Sequence, residues 1–257
     1  MIERLQSGQV FLFQKTCENE PILGSKCMAT LRCYGLDSQE VSFWLCQADG
    51  EPAASMVLQD GVVTCCSDGS IDPAELLHFL RACGATELDG SRADCEKLLA
   101  MGVGEMDSSW FMRYEEKSCP QPTVSLHRCE NLQTAFSVLQ QSHRFYQEHY
   151  TFESWSEDIG LRTKKGEAEV YILEEDGKAI GTGSIGSEDD TVAVISAVAV
   201  IPSCRHRGFG TQITRFLTCR ALEKGKTPTL ICGYDEVGAL YRQIGYVPCG
   251  YWGELYL

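Results

Sequence analysis

Residues 201–217 read IPSCRHRGFGTQITRFL and follow the apolar run Val194-Ile195-Ser196-Ala197-Val198-Ala199-Val200. A run broken only by Ser196 predicts a strand buried on both faces. Pro202 has no N–H to donate and ends the ladder. Gly208 and Gly210 free the backbone for a tight turn and for close approach to a ligand. Ile213, Phe216, Leu217 and Ala221 then share one face, which predicts a helix over 208–224. Strand, glycine turn and helix N-terminus thus come in order. The first turn of such a helix presents unpaired N–H groups and the positive end of the dipole. Arg205 and Arg207 add formal charge, so the stretch reads as an anion seat suited to phosphate.

The rest of the chain is acidic. Its 257 residues carry a formal net charge of −14, which argues against nucleic acid and anionic membrane surfaces as partners. Through Pro122 there are 19 acidic and 9 basic residues, and beyond it 17 and 13. Arg205, Arg207, Arg215 and Arg220 are four of those 13. No segment resembles a signal peptide, and no run approaches the ~20 apolar residues of a membrane helix, so a cytoplasmic location is expected. The 14 cysteines lack C-x-x-C spacing. They are expected to be reduced and to serve as small hydrophobes, with no metal bound.

The segment 117–123, KSCPQPT, has two prolines and little apolar content and reads as an interdomain linker, placed at 119–123. The halves on either side, 1–118 and 124–257, share an order of elements. Residues 43–58 and 171–185 are both hairpins about an Asp-Gly turn, Asp49-Gly50 and Asp176-Gly177. Strands follow at 62–66 and 192–200, helices at 73–82 and 208–224, and short strands at 86–88 and 229–232. Each half then has a helix with a similar ending, LLAMGV at 98–103 and YRQIGY at 241–246. Strands near 110–114 and 251–257 close the two halves. The repeat predicts two copies of one α/β unit. The second copy adds a helical lead-in, with apolar residues at 132, 135, 136, 138 and 139 and a weaker helix at 152–162.

Neither G-x-x-x-x-G-K-[ST] nor G-x-G-x-x-G is present, because no Lys-Ser/Thr follows and Ile213 stands at the third glycine's place. What fits is R-x-x-G-x-G, as Arg205-His206-Arg207-Gly208-Phe209-Gly210. Here the sequence resembles the GNAT (GCN5-related N-acetyltransferase) superfamily. A second match is Ala239-Leu240-Tyr241-Arg242-Gln243-Ile244-Gly245-Tyr246, similar to the family's A-x-x-L-Y-x-x-x-G-[FY] ending with its Ala off-register. The resemblance covers residues 124–257. Through the repeat, residues 1–118 resemble a degenerate GNAT-like unit. Its equivalent of the loop, Cys66-Ser67-Asp68-Gly69-Ser70-Ile71-Asp72, has aspartates where the second copy has arginines, and no CoA is expected there.

The resemblance implies an α/β (α+β) fold of tandem units, each with a mixed, mostly antiparallel sheet flanked by helices. It implies an acetyl-CoA-dependent N-acetyltransferase acting on a primary amine of a small molecule in a ternary complex. By that reading the amides of Gly208, Phe209, Gly210 and Thr211 hold the pyrophosphate, with Arg205, His206 and Arg207 lining the loop. The backbone of Val198, Ala199 and Val200 borders the pantetheine and acetyl carbonyl, with the Val198 and Val200 side chains in the core. Tyr241 is the implied general acid for the leaving thiolate.

The general base is open among Glu153, Glu167, Glu169, Asp235, Glu236 and a chain of water. His143, Tyr146 and Trp155 either line the acceptor site or pack the core. Tyr234 departs from the family's usual Asn. A non-catalytic CoA-binding sensor or scaffold is the alternative function, a plain interaction protein a third, and a homodimer is left open.

Overall fold

The computed structural model describes residues 1–233 and 235–257, and the contacts divide the chain into two compact units, Met1–Phe111 with Cys249–Leu257, and Met112–Pro248. The first contains β1 (Ile2–Arg4), α1 (Val10–Cys17), α2 (Pro21–Tyr34), β2 (Val41–Ala48), β3 (Glu51–Gln59), β4 (Val62–Ser67), α3 (Pro73–Ala82), β5 (Glu87–Ser91) and α4 (Arg92–Ala100), and the chain leaves it along β6 (Glu105–Tyr114). The second contains β7 (His127–Arg128), α5 (Leu132–Ser142), α6 (Arg144–His149), α7 (Phe152–Lys165), β8 (Glu169–Glu175), β9 (Lys178–Glu188), β10 (Val192–Val200), α8 (Phe209–Glu223), β11 (Thr227–Cys232) and α9 (Asp235–Ile244). The chain ends on β12 (Tyr246–Tyr256).

Each unit is an antiparallel meander with one parallel junction. In the first, β1 to β4 pair antiparallel in sequence and β4 pairs β5 parallel. In the second, β7 to β10 pair antiparallel and β10 pairs β11 parallel. The two Asp-Gly turns have φ of 51° and 84° at Asp49-Gly50 and 52° and 71° at Asp176-Gly177. Positive φ at both central residues is what a tight, right-twisted hairpin requires. A third such turn, Asp60-Gly61, joins β3 to β4.

One element departs from the expected arrangement. The last strand, expected to close the second half, pairs antiparallel with β5 of the first unit, from Trp252↔Ser91 to Tyr256↔Glu87. Leu255 is fully buried there among Met56, Val63, Leu80, Leu88 and Leu98. Burying one leucine is worth about 1.5–3 kcal/mol, which helps fix where the strand goes.

In the second unit α8 lies close against β9. A Cβ at Gly181 would stand 2.8 Å from Ile213 Cδ1, and one at Gly183 2.7 Å from Ile213 Cγ2. The glycines let the helix approach, and that approach sets its N-terminus near the end of β10. A second core cluster joins α5 and α7 to β8 and β10, with Phe136 stacked on Trp155 at 5.4 Å and Val170, Ile172 and Ala199 beneath.

Not all the cysteines are free. Cys119 and Cys219 form a disulfide across 100 residues, tying the proline segment to α8. Thr123 N–H adds a 2.7 Å bond to Gln212 Oε1 on the same helix. The expectation of uniformly reduced cysteines fails at this pair, because the linker folds back along α8 and brings two distant thiols together. Among the described residues no helix is long and apolar enough to cross a membrane.

Candidate active site

The site begins with a break in β10. Its parallel ladder with β11 runs from Val192↔Thr227 to Ile195↔Leu230. Between Ser196 and Ala199 the register with β9 shifts, and Ala197 sits at φ 53°. A bulge of this kind bends the strand and leaves a residue unpaired. Ser184 Oγ braces it, donating to the Ser196 carbonyl at 3.1 Å. Beyond the bulge the strand is half-buried at Val198 and Val200, with only Ala199 buried. The expected burial on both faces therefore holds for the first half of β10 and not for Val198 and Val200, which the bend carries beyond the β11 ladder.

After β10, one short turn at Pro202–Cys204 leads to His206 at φ 59° and Gly208 at φ 80°. Gly208 is the N-cap of α8. No side chain caps this helix, and its first turn holds no acidic residue. The first amides, at Phe209, Gly210 and Thr211, have no intrahelical acceptor at this position and face the loop with the dipole behind them. Such an end fits a phosphate group. The corresponding helix of the first unit is closed: the Asp72 carboxylate caps α3 by accepting from Ala74 N–H at 3.1 Å. Asp68 turns inward as well, accepting from Ser70 N–H at 2.8 Å. β4 also has no register shift against β3.

The arginines brace the loop. Arg205 donates to the carbonyls of Val200, at 3.3 Å, and Ser142. Arg207 makes two bonds to Glu175, at 2.7 and 2.6 Å, and lies 4.7 Å over the Phe209 ring. Hydrogen bonding to Arg207 holds the Glu175 carboxyl below its ordinary range. Glu175, at the end of β8, was not legible as a site residue, although its place just before the Asp176-Gly177 turn is the available signal. His206 is exposed.

Tyr241 is carried by α9. A Cβ at Gly210 would stand 4.0 Å from Leu240 Cδ1, so α9 meets the loop one residue before Tyr241. Burial pushes the Tyr241 phenol up to about 12, which keeps it protonated at neutral pH. Its ring is 6.0 Å from that of Tyr246, whose hydroxyl shares a 2.7 Å bond with Thr218 on α8. At the place equivalent to Tyr241, the first unit has Leu98, wholly buried.

Among the base candidates, Glu169 is committed elsewhere. It is buried, bonded by Tyr171 at 2.6 Å and Lys224 at 3.0 Å, and Lys224 follows the far end of α8. Fifteen helical residues separate that end from the loop, about 22 Å. Glu153 is exposed in the first turn of α7. Tyr234 lies outside the described residues, as do the side chains of Asp235 and Glu236.

Trp155 packs in the core. Tyr146 packs at that core's edge, and its ring lies 6.1 Å from His143 and 5.6 Å from Phe145. Ala197 and Ile201 pack against the same core.

Residues 127–246 match the model of the acetyltransferase (GNAT) family. That match lies within the second unit. No curated protein matches the sequence. Solved structures match along nearly its whole length. An acetyltransferase of the GNAT family from Colwellia psychrerythraea is 13% identical, with a TM-score of 0.63 over 100% of this chain and 99% of that one. A tandem GNAT protein from the clavulanic acid biosynthesis pathway gives 13% and 0.63 over 98% and 97%. A GCN5-related N-acetyltransferase from Sphaerobacter thermophilus gives 15% and 0.63 over 99% and 94%. At such identities the likeness concerns the fold, and the fold is that of tandem GNAT proteins.

Proposed function

We propose that the second unit binds acetyl-CoA and transfers its acetyl group to a primary amine of a small molecule. The observation that carries this is the uncapped N-terminus of α8 beside the bulged end of β10. The amides of Gly208, Phe209, Gly210 and Thr211 hold the pyrophosphate, and Arg205 and Arg207 keep the loop in shape for it. The backbone of Val198, Ala199 and Val200, past the end of the β11 ladder, receives the pantetheine. The thioester of bound acetyl-CoA supplies an activated acetyl group that the amine attacks directly. Tyr241, protonated, gives its proton to the departing sulfur and is restored by the proton that the attacking amine loses. The acceptor enters past the aromatic group of α6. This reading puts the chain in the cytoplasm, with access to the acetyl-CoA pool.

Calorimetry with acetyl-CoA, followed by a panel of amines with thiol release as readout, tests the proposal. Saturable acetyl-CoA binding with amine-dependent thiol release is expected. No binding of acetyl-CoA or CoA would overturn it. The commitment of Glu169 to Lys224 favours a second reading, a CoA-binding sensor without turnover. Binding with no thiol release across the panel would select that reading.

A further inference from the structure

On the first unit, strand pairing sets like charges face to face. Glu254 of β12 pairs with Asp89 of β5, and Tyr256 pairs with Glu87. Glu87 and Asp89 are two apart on one strand, so both share a face with Glu254. One carboxylate oxygen of each lies within 4.8 Å of those of the other two. Like charges directly opposite in an antiparallel pair are destabilising.

Lys26 of α2 bonds Asp89 Oδ2 at 2.9 Å. With all three carboxylates ionised, this lysine offsets one charge and two remain, the charge of one divalent cation. Asp89 is 5% exposed, and its other oxygen, Oδ1, is buried without a hydrogen-bond partner. A buried acceptor left unpaired is costly in a folded protein and needs a reason. Glu87 and Glu254 are half-buried, which leaves a solvent side open. Asp107 and Tyr256 are the other titratable groups around Glu254, and neither brings positive charge.

We propose that Glu87, Asp89 and Glu254 bind a calcium-sized divalent cation, with Asp89 Oδ1 as the buried ligand and water completing the shell. All-oxygen carboxylate donors select hard cations. Calcium–oxygen bonds of about 2.3–2.6 Å span oxygen pairs up to about 5 Å apart, which matches the cluster, while magnesium needs a tighter octahedron at about 2.0–2.1 Å. The site is separate from the acetyl-CoA loop, and its existence does not depend on transferase activity.

The test uses the full chain stripped with EDTA. CaCl2, MgCl2 and MnCl2 are titrated by calorimetry, and thermal unfolding is followed at constant ionic strength against NaCl. One saturable calcium site is expected, with a rise in Tm that NaCl does not reproduce and a weaker response to magnesium. Glu254→Gln and Glu87→Gln are each expected to weaken calcium binding at least tenfold, with far-UV circular dichroism confirming the fold. If one variant fails to fold, the other carries the comparison. Absence of saturable binding of any of the three metals to the wild type would overturn the proposal and leave shared protons as the compensation. Calcium binding unchanged in a folded variant would overturn the assignment to these residues.

Discussion

The Arg207 guanidinium grips the Glu175 carboxylate with two hydrogen bonds, at 2.7 and 2.6 Å, so an exposed cation of the loop before α8 is already paired. An exposed ion pair contributes little to folding. Its effect should appear in binding. Glu175→Gln releases a positive charge beside the loop and is expected to leave Tm within a degree or two while tightening acetyl-CoA binding a few-fold at low salt. The gain should fade at 0.5 M NaCl, because exposed charges are screened. Calorimetry at two ionic strengths measures both.

Ala197 holds the bulge at φ 53°, a region that β-branched residues enter only under strain. Ala197→Gly should keep or slightly raise Tm and preserve acetyl-CoA binding. Ala197→Val should lower stability by about 1–3 kcal/mol and weaken acetyl-CoA binding, since the strand must straighten to relieve it. Equal binding by both variants would show that the bulge is not needed.

For Tyr241 the expectation is kinetic. Tyr241→Phe should lower kcat by about 10²- to 10⁴-fold, the usual range for losing a general acid. Affinity for CoA should be unchanged. Burial places the phenol at about 12, and a general acid works only while protonated. The pH profile should therefore show no loss from this group between pH 6 and 10. A basic limb near pH 8 would assign the acid elsewhere.

Glu169 and Lys224 make a pH-dependent brace. Burial raises the Glu169 carboxyl, but hydrogen bonds from Tyr171 and Lys224 outweigh it, and the group titrates below its ordinary 4.5. Burial likewise opposes the charge on Lys224, yet its bonds to Glu188 and Glu169 raise it above 10.5. A lowered acid stabilises above its unfolded value and loses that as pH falls through the folded one. A raised base stabilises below its unfolded value and loses that as pH rises through the folded one. Glu169→Gln should thus cost about 1–3 kcal/mol, flat between pH 4.5 and 10.5 and shrinking outside that window. Urea midpoints across pH check it.

The Cys119–Cys219 bond closes 100 residues. Thiol titration of the unfolded, unreduced chain should find 12 free thiols, matching the twelve free cysteines of the structure. In the chain-entropy account a loop of that length stabilises by up to about 4.7 kcal/mol. Cys119→Ser should lower Tm by several degrees, and a reductant should then have no further effect.

Where local pattern and packing agreed, the sequence was readable. The helices α3 and α8 stand within a residue of their expected limits, and the Asp-Gly turns fall where expected with strands running up to three residues further, since turn chemistry and an amphipathic stripe mark them. The helices α1 and α2 were not legible. Nine of the fourteen residues of α2 are buried, including Ser25, Thr30 and two cysteines, so no single stripe betrays it. The loop before α8 could be singled out because glycines and arginines are concentrated in it. Ala197 could not, because nothing in an alanine announces a left-handed backbone. The meeting of Cys17, Cys27 and Cys66, whose sulfurs lie within 4.8 Å of one another, depends on three elements converging and leaves no trace in spacing.

The route of the last strand also sets an order in time. Residues 249–257 complete the sheet of a unit whose other residues are 1–111. Most of that unit is therefore made well before its sheet can close. Until residues 249–257 have been made, β5 presents an unpaired edge, the kind of surface on which nascent chains pair wrongly. Removing those nine residues should damage the unit of residues 1–111 while sparing that of residues 112–248.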